Sequence, residues 1–152
     1  MNEADEVDFR AFVITTEPRL HRGLVASLGW DRGREATADA LAYAWEHWSK
    51  VRAMSNPSGY LYRVGQSSVR RRKVPVLFER DDHTEALYEP ALMRLLAELP
   101  ERQRVAVVLV HGFNWTTREV SDLTGLAPST VHTHLERGLS KLRAALEVAD
   151  HG

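Results

Sequence analysis

Thr116-Thr117-Arg118-Glu119-Val120-Ser121-Asp122-Leu123-Thr124-Gly125-Leu126-Ala127-Pro128-Ser129-Thr130-Val131-His132-Thr133-His134-Leu135 is the stretch on which the fold turns. Thr116 or Thr117 can cap a short helix to about Thr124, with Glu119 or Val120 in its first turn. Gly125-Leu126-Ala127 forms a tight turn. Pro128 suits the first position of the next helix, where its missing N–H costs nothing. Beyond it, Val131, Leu135, Leu139, Leu142 and Leu146 repeat at helical spacing. A short helix, a glycine-bearing turn and a longer helix make a helix-turn-helix, whose second helix presents its exposed face to the major groove of DNA.

At 100° per residue, Val131, Leu135 and Leu142 define the inward side of that last helix. The opposite side carries Ser129, Thr130, Thr133 and Arg137, flanked by His134 and Lys141 on one edge and His132 on the other. These groups can donate to phosphates and base edges. Periodicity alone fits a helical hairpin with an ordinary solvated face equally well. His132 and His134 diverge by about 200°, which argues against a shared metal.

Working outward, an apolar helix (Leu92, Leu95, Leu96, Leu99) stops at Pro100. A further one spans Glu101 to His111, with Val105, Val108 and Leu109 as core and Gly112 as punctuation. The first half reads as three helices. One covers about Asp8 to Leu28, with Pro18 as a break or kink. After a turn at Gly29, Asp31 and Gly33, a second runs from about Glu35 to Val51. Its apolar side is Leu41, Ala44, Trp45, Trp48 and Val51, both tryptophans being assigned to the core. A third opens at Pro57 or Ser58, buries Leu61, Val64 and Ser68, and ends in Arg70-Arg71-Arg72-Lys73. The expected fold is all-α: an acidic tail (1–8), a helical domain (9–73), a short acidic linker (74–90) and the helix-turn-helix domain (91–148).

Composition narrows the function. Hydrophobic residues make up 43% and charged residues 27% of 152, and there is no cysteine, hence no disulfide or thiolate metal site. No run approaches a membrane span, and the acidic start lacks the parts of a signal peptide, so a cytoplasmic protein is expected. Net charge is −1, but residues 1–73 hold 12 basic against 9 acidic residues, 74–100 hold 2 against 6, and 101–152 hold 6 of each. The basic excess sits in the run at 70–73. No P-loop, Cys nucleophile or paired metal-ligand motif points to an enzyme or a cofactor, and Asp81-Asp82-His83 is too short a run to read as a metal site.

Leu99-Pro100-Glu101-Arg102-Gln103-Arg104, then Thr117 to Val120, then Pro128 to Leu135, then Arg137-Gly138-Leu139-Ser140-Lys141-Leu142-Arg143, resembles region 4 of the extracytoplasmic-function (ECF) group of sigma-70 factors. Glu35 to Trp45 and Asn56 to Val64 resemble region 2 of the same group, and together the two lobes cover about 120 residues in family order. The resemblance implies a region 2 helical bundle that docks on the β′ coiled coil of core RNA polymerase and opens the minus-ten element. It implies a region 4 that sits on the β flap and reads the minus-thirty-five element. It also implies promoter DNA as a partner and, as such factors often have, an anti-sigma factor. The residues it assigns to DNA are Arg118, Ser129, Thr130, His132, Thr133, His134, Arg137 and Lys141 in region 4, and Asn56, Tyr60, Arg63, Gln66, Arg70, Arg71 and Lys73 in region 2.

Polymerase contact is assigned to Glu35, Asp39 and Glu46, which helical geometry independently puts within about 40° of one another, opposite Leu41 and Trp48. Arg63, Gln66 and Arg70 are expected as a basic outward stripe, with Lys73 nearby and Met54 to Ser58, Tyr60 and Tyr62 around a base pocket. The sequence departs from the family at Ala38 and Ser67, usually Gln and Asn. His132 and His134 stand at a Lys and an Arg position, where neutral imidazole releases few counterions. Two readings compete with a sigma factor: a free-standing helix-turn-helix regulator that does not bind polymerase, and a helical protein-interaction module.

Overall fold

The computed structural model describes the backbone of residues 2–70 and 90–151, and the side chains of 2–70 and 91–148. The stretch read as a linker, together with Arg71, Arg72, Lys73 and Asp81-Asp82-His83, lies outside the described residues. Within them the chain is all helix, with no strand. The order is α1 (Glu3–Leu28), α2 (Trp30–Glu46), a single turn α3 (Trp48–Val51), α4 (Pro57–Arg70), α5 (Pro90–Glu98), α6 (Glu101–Val107), α7 (Thr117–Thr124) and α8 (Pro128–His151).

α1 begins well before the expected start. Asn2 caps it by accepting from the Asp5 N–H, and Glu3, Asp5 and Glu6 place negative charge at its N-terminal dipole. Asp5 and Asp8 also receive Arg52 at 2.6 and 3.0 Å, so the stretch read as an acidic tail is helical from Glu3. Pro18 does not end the helix. The carbonyl it deprives of a partner is that of Ile14, and both residues are exposed, so water can satisfy it.

The turn between α1 and α2 needs only Gly29, at φ 90°. Gly33, read as part of that turn, lies inside α2. A Cβ there would stand 2.6 Å from Val25 Cα, so the glycine exists for close approach of the two helices. α2 ends at Glu46, and His47 separates it from the short α3. Trp48 is buried against Phe9 and Phe12, at ring-centroid distances of 5.2 and 5.1 Å. Trp45 corrects the reading of two core tryptophans. It is 43% exposed and meets the ring of Phe9 edge-on at 5.1 Å.

α4 packs across α1 and α2 through Leu61, Tyr62 and Val69, with Val64 and Ser68 only half-buried. In the second half, α6 runs on into a π-helical turn (Val108–Gly112), and α6 and α8 cross closely over the buried Gly138. Val131, Leu135 and Leu142 are buried in α8, Leu139 is half-buried, and Leu146 is 38% exposed, so the apolar stripe fades toward the C-terminus. The buried apolar residues of both halves join in one continuous cluster. The two lobes therefore share a joint, and the joint decides what the binding faces can do.

Candidate nucleic-acid interface

The helix-turn-helix forms as its residues require. The Thr116 hydroxyl accepts from the Glu119 N–H at 3.1 Å while the Glu119 carboxylate accepts from the Thr116 N–H at 3.1 Å, a reciprocal capping box. These bonds, with Arg19 nearby, hold the Glu119 carboxyl below the usual range. Gly125 closes α7 in the left-handed region at φ 79°, which a side chain would strain. α8 then starts at Pro128.

On α8, Ser129, His132, Thr133, Arg137 and Lys141 are exposed and Thr130 is half-buried; Arg118 is exposed on α7. The Thr133 hydroxyl donates back to the Ser129 carbonyl at 3.1 Å, which leaves its lone pairs rather than its proton for a ligand. His134 departs from the group. Its helical angle lies 60–80° from Val131 and Leu142, which draws it inward, and it is half-buried with a buried Nδ1 that has no hydrogen-bond partner among the described residues. It lines a cavity of 480 Å³ at the lobe joint, together with Tyr62, Gln66, Arg70, Glu101 and Arg102. Burial, then Arg102 and Arg137, push its pKa down, so it is neutral and does not stand with the exposed α8 side chains.

The α4 residues assigned to DNA do gather. Arg63, Gln66, Ser67 and Arg70 line one shallow depression. Arg63 and Arg70 of the expected outward stripe are exposed, whereas Gln66 is half-buried, and the stripe borders the second lobe. Arg70 Nη2 lies 2.6 Å from both carboxylate oxygens of Glu101. Gln66 Nε2 donates to Glu101 Oε1 at 3.0 Å and to Ser27 Oγ at 2.9 Å, and Ser27 Oγ in turn donates to Glu101 at 2.5 Å. Asn56 spends both ends of its carboxamide. Oδ1 accepts from the Gly59 N–H at 3.1 Å, holding the start of α4, and Nδ2 donates to the Asp122 carbonyl of α7 at 2.7 Å.

Tyr60 is half-buried with its hydroxyl 3.0 Å from that of Tyr43, and Lys50 and Arg63 lie over its ring. The Tyr43 contact, with Lys50 and Arg63 nearby, lowers its pKa. Tyr62, by contrast, is core: it is 4% exposed, and burial raises its phenol pKa. Only Tyr60 of the two is placed to meet a ligand.

The acidic trio on α2 is less uniform than its spacing suggests. Glu46 is exposed, whereas Glu35 and Asp39 are half-buried, and Asp39 accepts from Ser68 of α4 at 3.0 Å. Ala38 and Ser67 are both exposed.

Sequence reasoning missed Glu101 and Arg104 as the organisers of the joint. Arg104 is 7% exposed. Its Nε donates to the Ala26 carbonyl at 2.9 Å, Nη2 to Ser27 at 2.6 Å and Nη1 to Leu99 at 3.1 Å. A cation thus sits at the carbonyl end of α1, whose own last turn carries no basic residue. Burial lowers its pKa, opposed by Glu101 and Tyr62. The available signal was a charge directly abutting the apolar run Val105 to Val110. Among the described residues no group of three or more His, Asp or Glu could hold a metal, and no helix is long and apolar enough to cross a membrane.

Residues 90–142, the helix-turn-helix lobe, match the family described as Sigma-70, region 4. The chain is 39% identical over 71 residues to the RNA polymerase sigma-E factor of Streptomyces avermitilis, covering 46% of this chain and 40% of that protein. It is 32% identical over 127 residues to the ECF RNA polymerase sigma factor ShbA of Streptomyces griseus subsp. griseus, covering 77% of this chain and 61% of that one. The chain therefore spans about two-fifths to three-fifths of the length of these relatives. In fold it is similar to a chain of the co-crystal structure of the sigma factor RpoE with the anti-sigma factor NepR from Bartonella quintana. The TM-score is 0.66 at 19% identity, over 93% of this chain and 98% of that chain. The helix-turn-helix lobe thus matches sigma-70 region 4, and the chain is similar to proteins named as sigma factors, one of them an ECF member.

Proposed function

We propose that the chain is an ECF sigma factor, which joins core RNA polymerase and directs it to promoters for transcription initiation. The observation that carries this is the pairing of two lobes in family order. A region 4 match covers the helix-turn-helix, and a 127-residue alignment to a named ECF sigma factor is too long to fit in that lobe alone.

In this reading α8 enters the major groove of the minus-thirty-five element. Arg137 and Lys141 contact phosphate or guanine edges, with Ser129, Thr130, His132 and Thr133 as shorter-range contacts and Arg118 on the backbone. α4 serves the minus-ten element. Extruding a base costs a few kcal/mol, and stacking or pocket contacts return about 1–3 kcal/mol per base, so opening without ATP requires such contacts. Tyr60 is the aromatic candidate, and Asn56, Arg63, Gln66 and Arg70 supply polar contacts, with Arg71 and Lys73 beyond them. Glu46, Glu35 and Asp39 on α2 face a basic helix of the β′ coiled coil, and the second lobe meets the β flap. An anti-sigma factor is a fitting regulator, since the structural neighbour was solved with one.

Run-off transcription with purified core polymerase on a promoter library tests the reading. New start sites that vanish with Arg137→Ala are expected. A chain that is not retained by core enzyme, and leaves start sites unchanged, would overturn it in favour of a free-standing regulator.

A further inference from the structure

We propose that the cavity at the lobe joint is a binding site for a small aromatic anion that also carries an N–H donor. The cavity measures 480 Å³, and pockets that enclose small molecules run from about 300 to 1,000 Å³. Its lining divides by chemistry. Val105, Ala106, Val120, Leu126 and Val131 supply the apolar part, drawn from α6, α7, α8 and the turn between the last two. Apolar surface of this kind favours a flat hydrocarbon ring over water.

The polar part selects the other two groups. Gln103 lines the cavity and is only 7% exposed, yet its Oε1 has no hydrogen-bond partner among the described residues. His134 Nδ1 is in the same condition. Their polar neighbours on the lining are already engaged: Gln66 and Arg70 with Glu101, and Thr124 with the Val120 carbonyl at 2.8 Å. A buried acceptor left alone is costly, so an N–H brought to Gln103 recovers free energy that folding has spent. Charge then favours an anion. Arg70 and Arg102 face the single carboxylate of Glu101, which Arg70 holds, and Arg102 is exposed with no ion pair among the described residues. His134, kept neutral by burial and by Arg102 and Arg137, offers a hydrogen bond rather than a charge. A purely apolar guest would leave Gln103 and Arg102 unused, and a cation would meet Arg102.

Anilinonaphthalene sulfonate combines fused rings, one N–H and a sulfonate, and its fluorescence rises when it leaves water. It should bind the full chain saturably at a single site, and N-phenylnaphthylamine, which lacks the sulfonate, about ten-fold more weakly. Arg102→Ala and the similarly sized Gln103→Met should each weaken binding of the sulfonate about ten-fold. Leu126→Trp, which fills the cavity from the turn, should abolish it, with circular dichroism checking that each variant stays helical. In proton NMR, bound probe should shift the ring resonances of His134 and leave those of His132, exposed on α8, in place. Binding that does not saturate, that both Arg102→Ala and Gln103→Met retain unchanged, or that leaves His134 unmoved would overturn the site. The probe would then be lying on exposed apolar side chains such as Val7 and Ile14. None of these readouts involves polymerase or DNA, so the site stands or falls apart from the sigma-factor reading.

Discussion

The two helices assigned to promoter DNA, α4 and α8, present their polar faces in opposite states. On α8, Arg137 and Lys141 project into solvent from a helix braced by α6 and α7. On α4, Gln66 and Arg70 are bonded to Glu101 and Ser27, and Asn56 just before it to Asp122. The difference comes from what each helix packs against. α8 buries its apolar stripe within its own lobe, whereas α4 uses one face for α1 and α2 and meets α6 and α7 with the other. A surface of DNA-binding residues is therefore not by itself an available surface. Availability is set by the competing acceptor, here one carboxylate and one backbone carbonyl.

The largest effect should come from removing the cation that pins the joint. Arg104→Ala leaves the Ala26, Ser27 and Leu99 carbonyls without their donor. At about 1–3 kcal/mol per unsatisfied buried polar group, reduced by water entering the joint, we expect a loss of about 3 kcal/mol in urea-unfolding stability. An unchanged midpoint would mean that α1 and α6 do not depend on one another, and the contrast between the two helices would lose its cause.

Next in size is a direct comparison of the faces. Arg137→Ala should weaken binding of a minus-thirty-five duplex by about 1–3 kcal/mol if the guanidinium reads a guanine, or reduce the salt slope by about one if it meets only phosphate. Its thermal stability should stay within about 0.5 kcal/mol of the parent, as for an exposed residue. Arg70→Ala in the free chain should change duplex binding little, since Arg70 is held by Glu101. Equal losses for both variants in filter binding would show that α4 is as open as α8.

A smaller effect tests the bracing of α8. Thr116→Ala removes one half of the capping box on α7 and should cost about 1 kcal/mol. Chemical denaturation followed at Trp115, which is buried near the same corner, reports it. Duplex affinity should fall with it.

Much of this was legible beforehand because the signals were local. The Thr116 cap, the Gly125 turn, the Pro128 start and the Val131–Leu142 stripe each depend on residues within one or two turns. The α1–α2 boundary was misread because Gly33 looks like a turn residue, although it serves contact with Val25, eight residues earlier in sequence and on another helix. Trp45 went astray for a similar reason: its spacing fits the buried stripe, but α2 ends one residue later and α1 covers only its edge. The joint was illegible because its partners, such as Arg70 with Glu101 or Arg104 with Ala26, are far apart in sequence and carry no periodicity. The inward lean of His134 follows from its angle to Val131 and Leu142, but its place in the cavity beside Tyr62 and Gln66 required knowing that a second lobe stands there.

The smallest predicted effect uses that histidine to tell the lobes apart. Burial, with Arg102 and Arg137, holds the His134 pKa below its ordinary 6.5. Burial, with Arg34 and Arg22 and against the opposing pull of Glu17, does the same for His21, whose ring lies 6.1 Å from that of Trp30. A histidine that is harder to protonate when folded binds fewer protons in the native state. Stability is then intact above 6.5 and is lost as pH falls below it through the folded pKa. The urea midpoint should fall from pH 7 toward pH 5, and His134→Gln or His21→Gln should each remove part of the slope. Proton NMR separates the two sites. In Glu101→Ala, where the joint loosens, the His134 midpoint should move back toward 6.5 as solvent reaches it, while His21, packed against α2 within the first lobe, keeps its depressed value. Movement of both midpoints together would mean that the variant loosens the whole molecule rather than the joint, and α4 and α8 would then have to be treated as parts of one rigid surface.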